Sequence, residues 1–258
     1  TENGVLNARR VILAVGNTEQ PCWPGWARAL RTAGRRVDHL FDAGFDRSAI
    51  PEDERVAVIG GGISAAQAAA ALSRRGPTLL VARHATRVHQ LDADPGWLGP
   101  KHMDAFHRER SLAVRRETIN GARNRGSVSP NVLRSVKRAV RLGGLARMTA
   151  EVEAADAGPL NTAHLKLRRP DGTMTTLVVD RIVLATGFET SRPGGAWLDE
   201  AVGVEELPLA PCGFPRLRAS LEWAPELYAA GPLAELQLGP TARNIAGARA
   251  AAQRLPAA

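Results

Sequence analysis

The run Val56-Ala57-Val58-Ile59-Gly60-Gly61-Gly62-Ile63-Ser64-Ala65 has the residue types and spacing of an anion cradle, GxGxxA, set on Gly60, Gly62 and Ala65. Gly60 permits a tight turn from strand to helix, Gly62 lets the backbone approach a pyrophosphate, and Ala65 lets the helix pack closely on the strand. Together with Gly61, Ile63 and Ser64 they would form a helix start whose N–H groups and dipole attract phosphate. The next apolar run ends Val81-Ala82-Arg83-His84. A site for NAD places a carboxylate here to accept from the ribose hydroxyls. Arg83 cannot accept from a hydroxyl but can pair with a 2′-phosphate, and His84 is placed to touch the adenosine end. NADP(H) is therefore the expected cofactor. The bland alternative is a glycine turn in some other α/β protein, with Arg83 one of many surface arginines and His84 exposed to solvent.

Several elements must position these residues. Arg55 to Ile59 reads as a buried strand, Ser64 to Arg75 as an Ala-rich helix of high propensity, Gly76-Pro77 as its stop, and Thr78 to Ala82 as the following strand. This is one βαβ unit, the context that a glycine motif needs to carry weight. Upstream, Val11 to Gly16 (VILAVG) reads as a buried strand and residues 26–36 as a basic loop. Downstream, residues 101–143 read as helical with breaks near Gly126 and Pro130, and residues 147–153 as a strand. Pro170-Asp171-Gly172 predicts a hairpin turn between Leu165–Leu167 and Thr173–Val179. Ile182 to Gly187 (IVLATG) nearly copies VILAVG, as if equivalent strand ends bracketed one inserted domain. Thr241 to Leu255 reads as a closing helix.

The 258 residues suffice for one large or two modest domains. A hydrophobic fraction of 44% and a charged fraction of 23% exclude a disordered chain. No run approaches the ~18 apolar residues of a membrane span, and Thr1-Glu2-Asn3-Gly4 resembles no secretion signal. Two distant cysteines, Cys22 and Cys212, argue against a disulfide framework, so the cytoplasm is the expected compartment. The net charge of +8 is local: residues 101–150 hold twelve Arg or Lys against three Asp or Glu. That segment reads as an anion-attracting face or as a solvated helical face. With Phe106 its only aromatic residue it lacks a base-stacking platform, so nucleic acid is not the expected partner.

Taken together, VILAVGNTEQPCWPGWA, VAVIGGGISAAQAAAAL, IVLATGFETSRP and LYAAGPLAELQLGPTARNIAGARAAAQRL resemble the two-dinucleotide-domain flavoproteins, in particular their flavin-containing monooxygenase and amino-acid N-hydroxylase branch. The resemblance implies an α/β fold in which a Rossmann-like NAD(P)H domain is inserted between two segments of a Rossmann-like FAD domain. The expected organisation is residues 1–50 for the end of the first FAD segment and linker, 51–190 for the NAD(P)H domain, and 191–258 for the closing FAD segment. It also implies FAD as a cofactor, crossings between domains at Gly16 and Gly187, and a closing flavin motif. In that motif Leu227–Ala230 form the strand ending at Gly231, and Leu238, Gly239 and Thr241 open a helix toward the flavin. In this family a glycine motif for the FAD pyrophosphate precedes the first ATG-like strand. Residues 1–16 instead resemble the last hairpin and strand of that segment, so at least ~30 residues are expected to be missing from the front. The Asp that follows the glycine in many relatives is Pro232 here, with Glu235 the candidate substitute.

The implied function is an FAD-dependent, NADPH-using oxidoreductase of monooxygenase type acting on a small molecule. The alternative is an NADP(H)-binding sensor without turnover. No acid–base residue and no metal site is assigned, because hydride and oxygen chemistry belong to the cofactors. His102, Asp104 and His107 match no metal spacing. Cys212 reads as a buried thiol or a pocket residue, and Trp97 as a packing aromatic or a cover for the nucleotide. Oligomeric state is left open.

Overall fold

The computed structural model describes residue 4, residues 6–17 and residues 19–255; the reading of Thr1, Glu2 and Asn3 lies outside the described residues. In chain order the elements are β1 (Val11–Leu13), α1 (Gly25–Thr32), β2 (Val37–His39), β3 (Val56–Ile59), α2 (Ile63–Leu72), β4 (Thr78–Ala82), β5 (Arg87–Val88), α3 (Pro100–Arg108), α4 (Leu112–Ala122), β6 (Ser127–Val128) and α5 (Pro130–Arg141). There follow β7 (Leu145–Thr149), β8 (Glu151–Ala157), β9 (Ala163–Arg168), β10 (Met174–Val179), β11 (Arg181–Leu184), α6 (Gly195–Val204), β12 (Glu222–Ala224), β13 (Leu227–Ala229), α7 (Glu235–Leu238) and α8 (Ile245–Ala252). They form two compact units. One contains the described residues up to Gln20 with Leu91–Asn124 and Thr190 onward; the second contains Pro21–Gln90 and Arg125–Glu189. Two segments thus fall on the other side of the expected boundaries: residues 21–50 join the βαβ motif, and 91–124 join the terminal segments.

The second unit is built on a five-stranded parallel sheet in the order β2-β11-β3-β4-β7. All four residues of β3 are buried, as a strand covered on both faces requires. Val56 and Val58 face a core with the small side chains of α2, and with Val136 of α5. Ala57 and Ile59 face the opposite core, where Ala27 and Leu30 of α1 meet Leu165 and Leu167 of β9. That second face is covered by α1 and by an antiparallel sheet ordered β10-β9-β8. The hairpin comes as expected: Arg168 pairs with Met174, and the Arg169 and Gly172 amides close the turn. The strand foreseen at 147–153 is two strands, β7 and β8, which belong to different sheets.

The basic loop expected at 26–36 is instead largely α1. Pro24 precedes it, and Ala27 and Leu30, one turn apart, are both buried while Arg28 and Arg31 stay exposed. Its arginines form the solvated face of an amphipathic helix.

In the first unit β13 lies between β1, which runs parallel to it, and β12, which runs antiparallel. Leu198, Leu221, Trp223 and Leu233 fill its core, and Phe106, Ile119, Phe214 and Leu236 form a second cluster. β1 is not the buried strand its sequence suggests: Val11 and Ile12 are 44% and 51% exposed, because β1 pairs with β13 alone, at the end of the sheet. The near-copies VILAVG and IVLATG lie in different sheets. β1 ends a three-stranded sheet, whereas β11 lies between β2 and β3. The chain does pass between units shortly after each of them, at Gln20–Pro21 and Glu189–Thr190. Among the described residues no helix is long and apolar enough to cross a membrane.

Candidate functional site

The glycine turn joins β3 to α2 at the carboxyl ends of the parallel strands, where open α/β sheets place their ligands. Gly60 adopts φ +155°, and a Cβ there would collide with the Ala185 carbonyl oxygen and lie 3.0 Å from the Ala65 Cβ. Gly60 is thus demanded by the fold itself, and Ala65 beside it is fully buried. Gly62 differs. It is the N-cap of α2 in an extended conformation, and a Cβ on it would meet only the Gly126 Cα, at 3.7 Å. Among the described residues nothing requires glycine there. Among the described residues no side chain caps α2, so its first-turn N–H groups have no side-chain acceptor there.

Beside the loop is a cavity of about 270 Å³. Leu80, Ala82 and His84 line it, in steps of two along and beyond β4. Val81 belongs to the opposite core, and Arg83, which shares its parity, is exposed and does not line the cavity. The His84 ring lies between two glycines: a Cβ on Gly61 would come 3.1 Å from it and one on Gly126 2.7 Å. Its Nδ1 is 2.8 Å from the Ala85 carbonyl oxygen, so the neutral ring donates there and leaves Nε2 as an acceptor. Of the remaining sequence-derived residues, Ile63 is exposed at the helix start, and Ser64 borders a separate cleft of about 330 Å³ with Phe41 and Arg47. Gly187 takes φ +85° after β11, and its carbonyl accepts from the Cys22 amide.

The cavity wall also includes residues that sequence reasoning did not single out. Thr86 follows β4, Val128 comes from β6, and Arg147, Met148 and Thr149 come from β7. Arg147 stands opposite Leu80 in the β4–β7 register and donates a hydrogen bond to the Thr86 hydroxyl. The signal was present: the strand expected at 147–153 began on an arginine, but its neighbour in the sheet was unknown.

In the first unit β13 ends before Gly231, at φ +61°, with open space on its Cβ side. Gly16 likewise takes φ +70° after β1. The helix expected to open at Thr241 does not: Pro240–Arg243 form a 3-10 turn after Gly239, and α8 starts at Ile245. Asn244 causes the delay, its side-chain oxygen accepting from the Ala246 and Gly247 amides. Leu238 is 2% exposed and packs in the core, so only its backbone could meet a ligand.

Glu235 is fully buried and held by three guanidinium groups, from Arg116, Arg123 and Arg243. Burial would raise its pKa, but the three arginines outweigh burial and hold it below the ordinary carboxylate range. Its oxygens are thereby occupied, and Glu235 does not replace the missing Asp as a ligand-facing acid. Trp97 packs on His102 and Phe106, with ring centroids 5.1 and 6.1 Å away, and Cys212 is partly buried beside the same cluster. His102 faces Asp94, while the His107 Nε2 lies 3.2 Å from the Gln237 carbonyl oxygen; the two imidazoles do not converge.

The fold is shared with solved flavoenzymes. The cadaverine monooxygenase DfoA of Erwinia amylovora, bound to FAD, superposes with a TM-score of 0.71 at 14% identity, over 95% of this chain and 58% of that one. The ornithine hydroxylase PvdA of Pseudomonas aeruginosa gives 0.69 at 21% identity, over 95% and 61%. The ornithine N-hydroxylase KtzI of Kutzneria sp. 744, with reduced FAD, NADP+ and L-ornithine, gives 0.67 at 19% identity, over 95% and 61%. The chain spans about three fifths of the length of each. No curated protein matches it in sequence. The family model for L-lysine 6-monooxygenase/L-ornithine 5-monooxygenase matches residues 1–190, well over half of the chain. The α/β fold with its interrupted first unit, the glycine cradle and this match lead to one assignment: the chain belongs to the L-lysine 6-monooxygenase/L-ornithine 5-monooxygenase family.

Proposed function

We propose that the chain is the NADPH-binding part of an FAD-dependent N-hydroxylating monooxygenase, acting on the primary amine of a small lysine- or ornithine-like molecule. The observation that carries the reading is the uncapped start of α2 at Gly62, where glycine is not needed by the fold but is needed by a pyrophosphate. Gly60, Gly61, Gly62, Ile63, Ser64 and Ala65 would form the cradle, and the cavity beside it, between β4, β7, α2 and α5, would take the adenosine. When bound, NADPH and FAD would supply the hydride and oxygen chemistry. The protein's own part is to fix the nucleotide by backbone N–H groups and to seat the adenosine against Ala82 and Val128. Gly16, Gly187, Gly231, Gly239, the Leu238 backbone and Thr241 are the candidates to border the flavin.

A second reading, nucleotide binding without turnover, is favoured by one observation. Among the described residues a strand leads through a glycine turn into an uncapped helix of this kind at 60–65, whereas after β13 the chain enters 3-10 turns and a helix capped by Asn244.

The test is the visible spectrum of the chain after mixing with FAD and desalting, followed by anaerobic NADPH. Retained flavin absorbance that bleaches on NADPH addition is the expected result. NADPH binding by titration with no flavin retained would leave this chain as a nucleotide-binding module whose redox function needs residues outside it. Failure to bind either would overturn both.

A further inference from the structure

We propose that the free edge of β10 is a self-association surface, which pairs antiparallel with β10 of a second copy of this chain about a two-fold axis at Thr176. The inference is independent of the nucleotide reading and concerns the antiparallel sheet of the second unit.

Three observations carry it. The first is an open ladder. β10 ends the order β10-β9-β8, and its register with β9 runs unbroken from Met174 opposite Arg168 to Val179 opposite Ala163. At the turn the Arg169 amide donates to the Thr173 carbonyl, 2.9 Å away. Bonded residues alternate along an antiparallel strand, so Thr175, Leu177 and Val179 also turn their backbone groups to β9. Those of Met174, Thr176 and Val178 turn to the open edge. Asp180, next in the same parity, donates away from β9 to the Arg55 carbonyl. Among the described residues no hydrogen bond reaches the amides of Met174, Thr176 and Val178 from that edge.

The second is composition. Met174–Val179 reads MTTLVV, with neither a charge nor a proline, the devices that keep an edge strand from pairing. β8, at the other end of the same sheet, carries Glu151, Glu153 and Asp156. One end of the sheet is guarded by charge and the other is not.

The third is self-complementarity. Antiparallel pairing centred on Thr176 sets Met174 opposite the partner's Val178, joins two threonines at the axis and makes about six backbone hydrogen bonds. Met174 and Val178 are 53% and 37% exposed, so pairing removes apolar surface from water. The cations of β9 do not oppose it. Lys166 is paired with Asp156, and Arg168 with Glu151 and Glu153. The two β9 strands would stand three strand spacings apart, about 14 Å.

The experiment is analytical ultracentrifugation of the 258-residue chain and of its Thr176→Lys variant from about 1 to about 200 µM, the range suited to a short edge interface. The mass of the chain is expected to double as concentration rises. Thr176 lies on the solvent face, so Thr176→Lys should keep the melting temperature while weakening association at least ~10-fold, because two ammonium groups meet at the axis. Over the same range the Thr176 and Val178 amides should gain protection from hydrogen exchange, and the amides of β8 should not. Thr176→Cys should give a disulfide-linked dimer on mild oxidation, since a bonded cross-strand pair brings its Cα atoms to about 5.5 Å. The unaltered chain, with Cys22 and Cys212, sets the background for that comparison. A chain that stays monomeric throughout overturns the proposal. A dimer that survives Thr176→Lys at full strength, or exchange at the β10 amides that ignores concentration, overturns it equally by placing the contact elsewhere.

Discussion

Gly60 and Ala185 approach so closely that a Cβ on the glycine would overlap the alanine carbonyl oxygen. The contact joins the end of β11 to the turn after β3, and the Ala185 amide completes it by donating to the Ile59 carbonyl at 2.8 Å. Gly60→Ala should therefore act on the fold. Its φ of +155° is strained for any L side chain, and the overlap adds to that. The expected loss is more than about 1 kcal/mol, read from urea unfolding. Unchanged stability would mean that β11 and the turn are not held as described.

Gly62→Ala separates fold from ligand. Its Cβ has room, and the extended backbone suits any residue. Alanine is a poorer N-cap than glycine, so stability should fall by no more than about 1 kcal/mol. NADPH affinity should drop at least ~10-fold, because the methyl group occupies the pyrophosphate's approach. Equal affinities for both proteins would remove the cradle from the site.

Glu235 predicts an acid-sensitive first unit. Its folded pKa is held below the ordinary 4.5 by Arg123, Arg243 and Arg116 against the effect of burial. A depressed carboxylate stabilises fully above its unfolded pKa, and that contribution is lost as pH falls through the folded value. Glu235→Ala, which strands three guanidiniums, should cost roughly 3–5 kcal/mol at pH 7. Arg116 would suffer most: its guanidinium lies 3.7 Å over the Phe214 ring, and its Nε and Nη2 already find no hydrogen-bond partner. Glu235→Gln should be less damaging and should flatten the decline of the melting temperature below pH 4.5.

Asp180 makes a parallel but smaller contribution in the second unit. It accepts from the Arg55 guanidinium twice and from the Arg55 amide, each at 2.8 Å. Hydrogen bonds to the Arg55 side chain are the largest cause of a pKa lowered from 3.8 to about 2. Stability from this carboxylate is present above pH 3.8 and disappears as pH falls through about 2. Half of the Arg55 side chain is exposed, so screening keeps the effect small. Asp180→Asn should cost about 1 kcal/mol at pH 7, measured by chemical denaturation. A larger loss would show that the pair anchors the start of β3.

The glycine cradle was legible because it is local. A strand, a turn and a helix within twenty residues fix one another's geometry, and Gly60, Gly62 and Ala65 mark it by spacing alone. The hairpin at Pro170-Asp171-Gly172 was legible for the same reason. Helix α1 was hidden because it buries only two residues, Ala27 and Leu30, among its exposed arginines. The capping of α8 by Asn244 was hidden because Thr241 to Leu255 carries a helical composition from its first residue.

The sequence by itself determined the βαβ core, the nucleotide loop and the resemblance to a flavoprotein family. Only the tertiary structure decided which cation stands in the cavity. Arg147 reaches β4 across more than sixty residues, through α3, α4 and α5, and its face is set by the β4–β7 register. Spacing along the chain cannot give that register. It follows from burial of Leu145 against α2 and α5, which turns Arg147 to the cavity while the parity of β4 turns Arg83 away.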